Sequence, residues 1–236
     1  MSDLHPLSTP SGAQNALEAV SAEFLTAGLW IAREKTVAVV LEIRDQLKIG
    51  MTEDQARQLV LDCFSQHGVT KHWHRPYVRF GEGTLLTFND PIRENAILAQ
   101  DDPYYLDVGP VWTDKASGIE YEGDYGDTFI LGDNAEGEKC AEAARSLFQF
   151  AQRFWREKKC SGQELYRILD QETSARGYCL VKDVEGHRLA DFPHHRYTKM
   201  NLADADFVPS PALWVLEVKI NHPTLPFGAF FEDILS

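Results

Sequence analysis

Residues 104–131 read YYLDVGPVWTDKASGIEYEGDYGDTFIL, two apolar, β-prone runs on either side of the polar turn TDKASG. That pattern folds back on itself as a hairpin. Asp107 lies on the first run and Asp124 on the second. Opposing them puts the midpoint of the loop between Lys115 and Ala116, inside the turn. Asp127 serves as well on hairpin geometry, because the midpoint then still falls in the turn. Like charges opposed across a ladder repel, so this pairing predicts a cation between the two acids.

A second hairpin repeats the arrangement. In LWVLEVKINHPTLPFGAFFEDIL, Glu217 sits in one apolar strand and Glu232 in the next, and opposing them puts the midpoint between Thr224 and Leu225 in the Pro-containing turn. A lone acid in a strand usually faces solvent. Four acids in two opposed pairs fit that reading poorly. Four carboxylates in one apolar pocket are strongly unfavourable unless protonated or neutralised, and two divalent cations would balance them. The segment VEGHRLADFPHHRY offers His187, His194 and His195 as imidazole partners, although a histidine taken alone is more often an ordinary surface or core residue. An oxygen-rich site with one imidazole suits manganese, iron or cobalt at least as well as zinc.

The remaining composition narrows the partners. A formal net charge of -13 over 236 residues argues against nucleic acid or an anionic membrane. No apolar run is long enough to span a bilayer. The four widely spaced cysteines, with no CxxC pair, read as reduced thiols. The expectation is a soluble, cytoplasmic protein. Residues 1–12 read as a flexible N-terminal segment without signal-peptide character, and residues 13–236 as one domain.

Along the chain, Asn15 to Leu47 has apolar residues at helical spacing, with Gly28 expected to divide it and Gly50 to end it as a C′ glycine. Thr52 and Gln55 form a capping box that predicts a helix over about Glu53 to Gln66. Lys71 to Phe88 reads as strands broken at Gly81 to Gly83. Glu138 to Lys158 is a strong amphipathic helix, and Ser161 with Glu164 opens another that runs to about Ala175. Leu213 to Ile220 and Gly228 to Leu235 are strands. Each half thus has two helices followed by an acidic hairpin, which makes this an α+β chain of two similar halves. In KHWHRPYVRFG, His72, His74, Arg75 and Arg79 are candidates for gripping a substrate carboxylate, against the plainer reading of a half-buried strand.

The order Asp, Asp, His, Glu, Glu resembles the pita-bread metallopeptidases, the family of methionine aminopeptidases, Xaa-Pro aminopeptidases, prolidases and creatinase. Asp107 in LDVG matches the first aspartate ligand. Asp124 in GDYGDTF matches the second, since the family's phenylalanine lies five residues on, as Phe129 does here; this favours Asp124 over Asp127. His187 in EGHRLADFPH matches the histidine of the family's GHGIG motif, and His194 its second, substrate-contacting histidine. Glu217 in VLEVKI and Glu232 in FFEDIL match the two C-terminal glutamates. The resemblance covers about Leu29 to the end and includes KIGMTE. There are departures. Arg188 and Ala190 replace glycines of GHGIG, His195 stands where the family has glutamate, and the turn between Asp107 and Asp124 is longer. Phe88 falls near the position of a histidine that methionine aminopeptidases carry.

The resemblance implies a pita-bread fold with antiparallel sheet flanked by helices. It also implies two divalent ions (Mn, Co, Fe or Zn) that share Asp124 and Glu232, with Asp107 on one side and His187 and Glu217 on the other. Glu217 is then the general base, His194 stabilises the oxyanion, and Asp127 either orients a ligand from behind or is a solvated acid. The implied activity is hydrolysis of a peptide or small amide at an N-terminal residue or dipeptide, Xaa-Pro type favoured over Met-specific. A non-peptidase C–N hydrolase like creatinase and a metal-free binding protein on the same scaffold are the alternatives. A homodimer stays open as the assembly.

Overall fold

Thr52 and Ser161 open corresponding helices in the two parts of the chain. The Thr52 hydroxyl accepts from the Gln55 N–H while the Gln55 side chain accepts from the Thr52 N–H, which closes the capping box over α2 (Glu53–Gln66). The Ser161 hydroxyl likewise accepts from the Glu164 N–H at the start of α4 (Gly162–Ala175). A longer helix precedes each, α1 (Thr26–Gln46) and α3 (Ala135–Lys158). The computed structural model describes residues 7–8, 15–93, 95–193 and 198–236. Of the expected N-terminal segment, Leu7–Ser8 forms β1 and pairs with β2 (Val20–Ser21); its other residues lie outside those described.

The main sheet has six antiparallel strands: β3 (Tyr77–Phe80), β4 (Pro103–Val108), β7 (Tyr125–Ile130), β8 (Cys179–Leu180), β9 (Val215–Asn221) and β10 (Gly228–Ile234). Their order is β3-β4-β7-β10-β9-β8. Each half therefore gives one edge strand and one hairpin, and the last strands of the two hairpins, β7 and β10, pair at the centre. The longer first hairpin carries an extension, the two-stranded ribbon of β5 (Val111–Thr113) with β6 (Glu120–Glu122).

Because side chains alternate along a strand, the sheet has two distinct faces. On one, Phe231 packs edge-on against Phe148 of α3 at 5.0 Å between ring centroids, and Asp233 accepts from Arg33 of α1 at 2.8 Å. The expected α3 stripe of Ala144, Leu147, Phe148, Ala151 and Trp155 is buried under the same side, with Phe154 partly so. The other face carries Tyr105, Asp107, Glu217, Lys219, Phe230 and Glu232, free of α-helices and open to a cavity.

Three local expectations fail for physical reasons. Gly28 does not divide the first helical stretch; it lies inside α1, where a Cβ would overlap the Tyr121 ring, so the glycine permits close packing. The chain before Thr26 is instead a turn of 3-10 helix at Ala16–Glu18 followed by β2. Gly50 is not the C′ residue either. The helix has already ended at Gln46, and Gly50, at φ 89°, turns the chain into α2. In Lys71 to Phe88 only Tyr77–Phe80 is strand, and the glycines beyond it form a 3-10 helix at Gly81–Leu85. All four cysteines are free, and no helix among the described residues is long and apolar enough to cross a membrane.

Candidate active site

Glu217 and Glu232 stand directly opposite each other in the β9–β10 ladder, as the hairpin predicts. The first hairpin is paired two residues away from the expected register. Asp107 opposes Gly126, and Asp124 lies just before β7. A shift of two keeps every side chain on its face, so Asp124 still shares the open face with Asp107. Asp127 does not. It opposes Leu106 on the helix side, where it accepts from Arg145 Nε at 2.9 Å, the Thr128 N–H at 2.8 Å and the Tyr125 hydroxyl at 3.2 Å. It is neither a ligand-orienting group nor a solvated acid; it anchors α3 to the sheet. Gly126 is the hub of the centre, since Glu232 of β10 opposes it from the other side. A Cβ there would overlap the Phe230 ring and press on Glu232.

Two histidines approach Asp124, one on each carboxylate oxygen. His187 Nε2 lies 2.9 Å from Oδ2 and 3.6 Å from Glu232 Oε1, and His74 Nε2 lies 3.5 Å from Oδ1 and 3.4 Å from Asp107 Oδ1. Each ring has its Nδ1 2.7 Å from the carbonyl of the next residue, Arg188 or Arg75. That contact places the proton on Nδ1 in the neutral ring and turns the Nε2 lone pair toward the carboxylates. The Trp73 ring lies against both imidazoles, at 4.5 Å from His74 and 4.8 Å from His187 between centroids. His74, by sequence a candidate grip for a substrate carboxylate, faces the protein's own carboxylates instead. Its segment reaches the hairpin through the Trp73 N–H, which donates to the Gly109 carbonyl at 3.0 Å, and a bridge between His72 and Pro110. Gly109 is glycine because a Cβ there would overlap Trp73 and His74.

Burial sets the electrostatics. It pushes the Asp107 carboxyl up to about 6 and Glu217 up to about 7, and raises Glu232 well above the ordinary carboxylate range. Burial also works against the charge on Asp124, but His187 and His74 beside it outweigh this and hold its carboxyl low. Both imidazoles are raised despite burial, His187 by Asp124 and His74 by Asp107. Both Asp124 oxygens and Glu232 Oε2 are enclosed and make no aligned hydrogen bond among the described residues, with the His187 and His74 ring nitrogens the polar atoms against Asp124. This arrangement is costly unless protons on those rings or metal cations balance the charge. The donor atoms fall into two groups that could each hold a metal ion, His74–Asp107–Asp124 and Asp124–His187–Glu232, with all atoms of a group within 4.8 Å of one another. The residues present therefore fit divalent cations, with Asp124 common to both groups.

Glu217 faces the same cavity, and its Oε2 accepts from the Gly186 N–H at 2.6 Å. The cavity holds about 270 Å³ and has an aromatic mouth of Trp73, Tyr77 and Phe88 above the carboxylate floor. Of the other candidates, Arg79 is buried and donates to the carbonyls of Thr87, Asp90 and Pro91, while Arg75 lies over the Tyr77 ring and His72 against Phe64. His194 and His195 lie outside the described residues. Arg188, where the family motif has glycine, is buried and donates to the carbonyls of Leu17, Ala19 and Leu189, which ties the N-terminal segment to the site wall. Sequence reasoning missed Lys219. It lies two positions after Glu217 on the same face, donates to the Thr84 carbonyl, sits 4.6 Å from the Tyr105 ring centroid, and is pushed down by burial to about 7. Its place in an apolar strand, alternating with Glu217, was the available signal.

A sequence model of metallopeptidase family M24 matches residues 27–235. No curated protein matches the chain at the sequence level. Among solved structures, an X-Pro aminopeptidase from Thermotoga maritima is similar at TM-score 0.69 and 16% identity, covering 87% of this chain and 56% of that one. A prolidase from Pyrococcus furiosus gives 0.66 and 16%, covering 86% and 58%. A methionine aminopeptidase from Thermotoga maritima gives 0.61 and 16%, covering 98% and 94%. The chain thus spans little more than half the length of the first two. These likenesses bear out the pita-bread fold.

Proposed function

This chain belongs to metallopeptidase family M24, and from that premise we propose that it is a dinuclear metal-dependent peptidase that removes an N-terminal residue or dipeptide, of Xaa-Pro type rather than Met-specific. The observation that carries the reading is Asp124: enclosed, with no aligned hydrogen bond on either oxygen among the described residues, an imidazole nitrogen near each oxygen, and a place in both groups of possible metal donors. Asp107, Asp124, His187, Glu217 and Glu232 would hold the ions. Divalent ions bound there would polarise an amide carbonyl and acidify a water.

The chain's own residues supply the rest. Glu217 has one oxygen fixed by the Gly186 N–H and the other available to take a proton from the attacking water and pass it to the leaving nitrogen. In the metal-free chain burial pushes its carboxyl up to about 7. Trp73, Tyr77 and Phe88 give the cavity an apolar wall for a substrate side chain or a proline ring and help to exclude water. His194 is the proposed donor to the oxyanion. The Xaa-Pro preference is supported by the X-Pro aminopeptidase and prolidase among the similar structures and by Phe88, which falls near the position of a histidine that methionine aminopeptidases carry.

The test is a set of Xaa-Pro dipeptides and peptides, Met-initiated peptides and other dipeptides, assayed after reconstitution of metal-free protein with manganese, cobalt, iron or zinc. Metal-dependent cleavage before or after proline, lost in Glu217→Gln, supports the reading. Absence of any metal-dependent rise in unfolding temperature would sink it.

A further inference from the structure

We propose that His74 is a metal ligand in its own right, so that each half of the chain supplies one imidazole and two carboxylates to the centre. The inference rests on the dinuclear reading above and deepens it. The five-residue set drawn from the sequence has a single imidazole, His187, and leaves the Asp107 side with oxygen alone. In the structure His74 Nε2 sits 3.4 Å from Asp107 Oδ1 and 3.5 Å from Asp124 Oδ1. With its Nδ1 at the Arg75 carbonyl, the neutral ring turns a lone pair toward two carboxylate oxygens. Three acceptors converging on one point repel unless a proton, as in the metal-free chain, or a metal cation lies among them. The Asp124 oxygen on that side is enclosed and makes no aligned hydrogen bond among the described residues.

The ring is also built into place. It stacks on Tyr77 at 5.7 Å, meets Trp73 edge-on, and occupies space that any side chain at Gly109 would fill. Its side chain is only 15% exposed, close to the 17% of His187. The two imidazoles are matched in detail. Each has its Nδ1 at the carbonyl of the following residue, each presents Nε2 to a different oxygen of Asp124, and each lies against the same indole. A carbonyl behind a ligating ring fixes its tautomer and raises its basicity. With nitrogen on both sides, the centre favours cations that accept imidazole, such as cobalt or zinc, over manganese in both positions.

Cobalt(II) titration of the metal-free full chain, followed by visible absorption and by proton NMR of solvent-exchangeable, hyperfine-shifted imidazole N–H signals, tests this. The expected result is two equivalents bound and two such signals. His74→Gln, with its fold checked by circular dichroism, should lose one signal and weaken one equivalent by more than the roughly 10–100-fold expected of a group that only supports a ligand. His187→Gln should lose the other signal. A single imidazole signal in the unaltered protein with two equivalents bound overturns the proposal and leaves the dinuclear centre standing. Both signals and both affinities retained in His74→Gln do the same. An unaltered protein that takes up no cobalt overturns the proposal together with the reading on which it rests.

Discussion

Asp107 and Glu232 flank a single residue, Gly126, from the two strands on either side of it. The carboxylates of the two halves converge over that glycine because it has no side chain to hold them apart. Gly126→Ala would push a methyl into the Phe230 ring and against Glu232. Overpacking of this kind costs about 1–3 kcal/mol. The expected outcome is a lower unfolding temperature and a smaller rise on adding cobalt or manganese, read by thermal melts with and without metal. An unchanged metal response would contradict the convergence.

Without metal, stability should fall as the pH rises from 5 to 7. In that window the folded chain holds protons that the unfolded chain has shed. Burial pushes Asp107 to about 6 and Glu217 to about 7 and raises Glu232 further, while the neighbouring carboxylates outweigh burial and raise His187 and His74. The buried ring of His72 and the ammonium of Lys219, pushed down to about 7, act in the opposite sense but are fewer. Each extra proton on the folded side lowers stability by about 1.4 kcal/mol per pH unit. Bound cations take the place of those protons, so the decline should flatten or reverse with metal present. Urea unfolding at several pH values checks this, and a metal-free protein that gains stability over the window would refute it.

Asp127→Asn should destabilise the fold and leave metal uptake unchanged. Its carboxylate is the buried partner of Arg145 on α3 and lies on the face away from the centre. Breaking a fully buried pair costs ~3–5 kcal/mol; Arg145 keeps some contact with solvent, so a loss on the order of 2 kcal/mol is expected here. Denaturant melts measure the first effect and cobalt titration the second. A lost equivalent of metal would return Asp127 to the site.

Arg188→Met should loosen the segment before α1. The guanidinium is the donor to the carbonyls of Leu17, Ala19 and Leu189, and methionine cannot replace it. A buried carbonyl left without a donor costs about 1–3 kcal/mol, partly recovered if water enters. Limited proteolysis should cut N-terminal to Thr26 much faster in the variant than in the unaltered chain. Equal rates would mean that the strap is held by something else.

The parts legible in the sequence were those fixed locally. The Thr52–Gln55 and Ser161–Glu164 caps are set by residues three apart, and the opposition of Glu217 and Glu232 by the turn between them. The register of the first hairpin was not, because the polar turn TDKASG admits more than one centre; the chain folds about Ala116 and Ser117 rather than Lys115 and Ala116, and β5–β6 and β4–β7 share that register. The face of Asp124 survived only because the error was even. His74 escaped because tertiary structure delivers it: its segment reaches the hairpin through a backbone bond from Trp73 to Gly109, and nothing near His74 announces that contact. Gly109, next to the LDV run, was the residue that could have hinted at something packed close.

The pairing of β7 with β10 has a consequence for how such a chain can change over time. Gly126 belongs to one half and Phe230 to the other, and the ring occupies the space the glycine leaves. A larger residue at 126 is tolerable only with a smaller one at 230, so these two positions should drift together among relatives. The same holds for recombination. A chimera that takes residues 1–131 from one family member and the remainder from another inherits a mismatched seam unless both sides of it travel as a set.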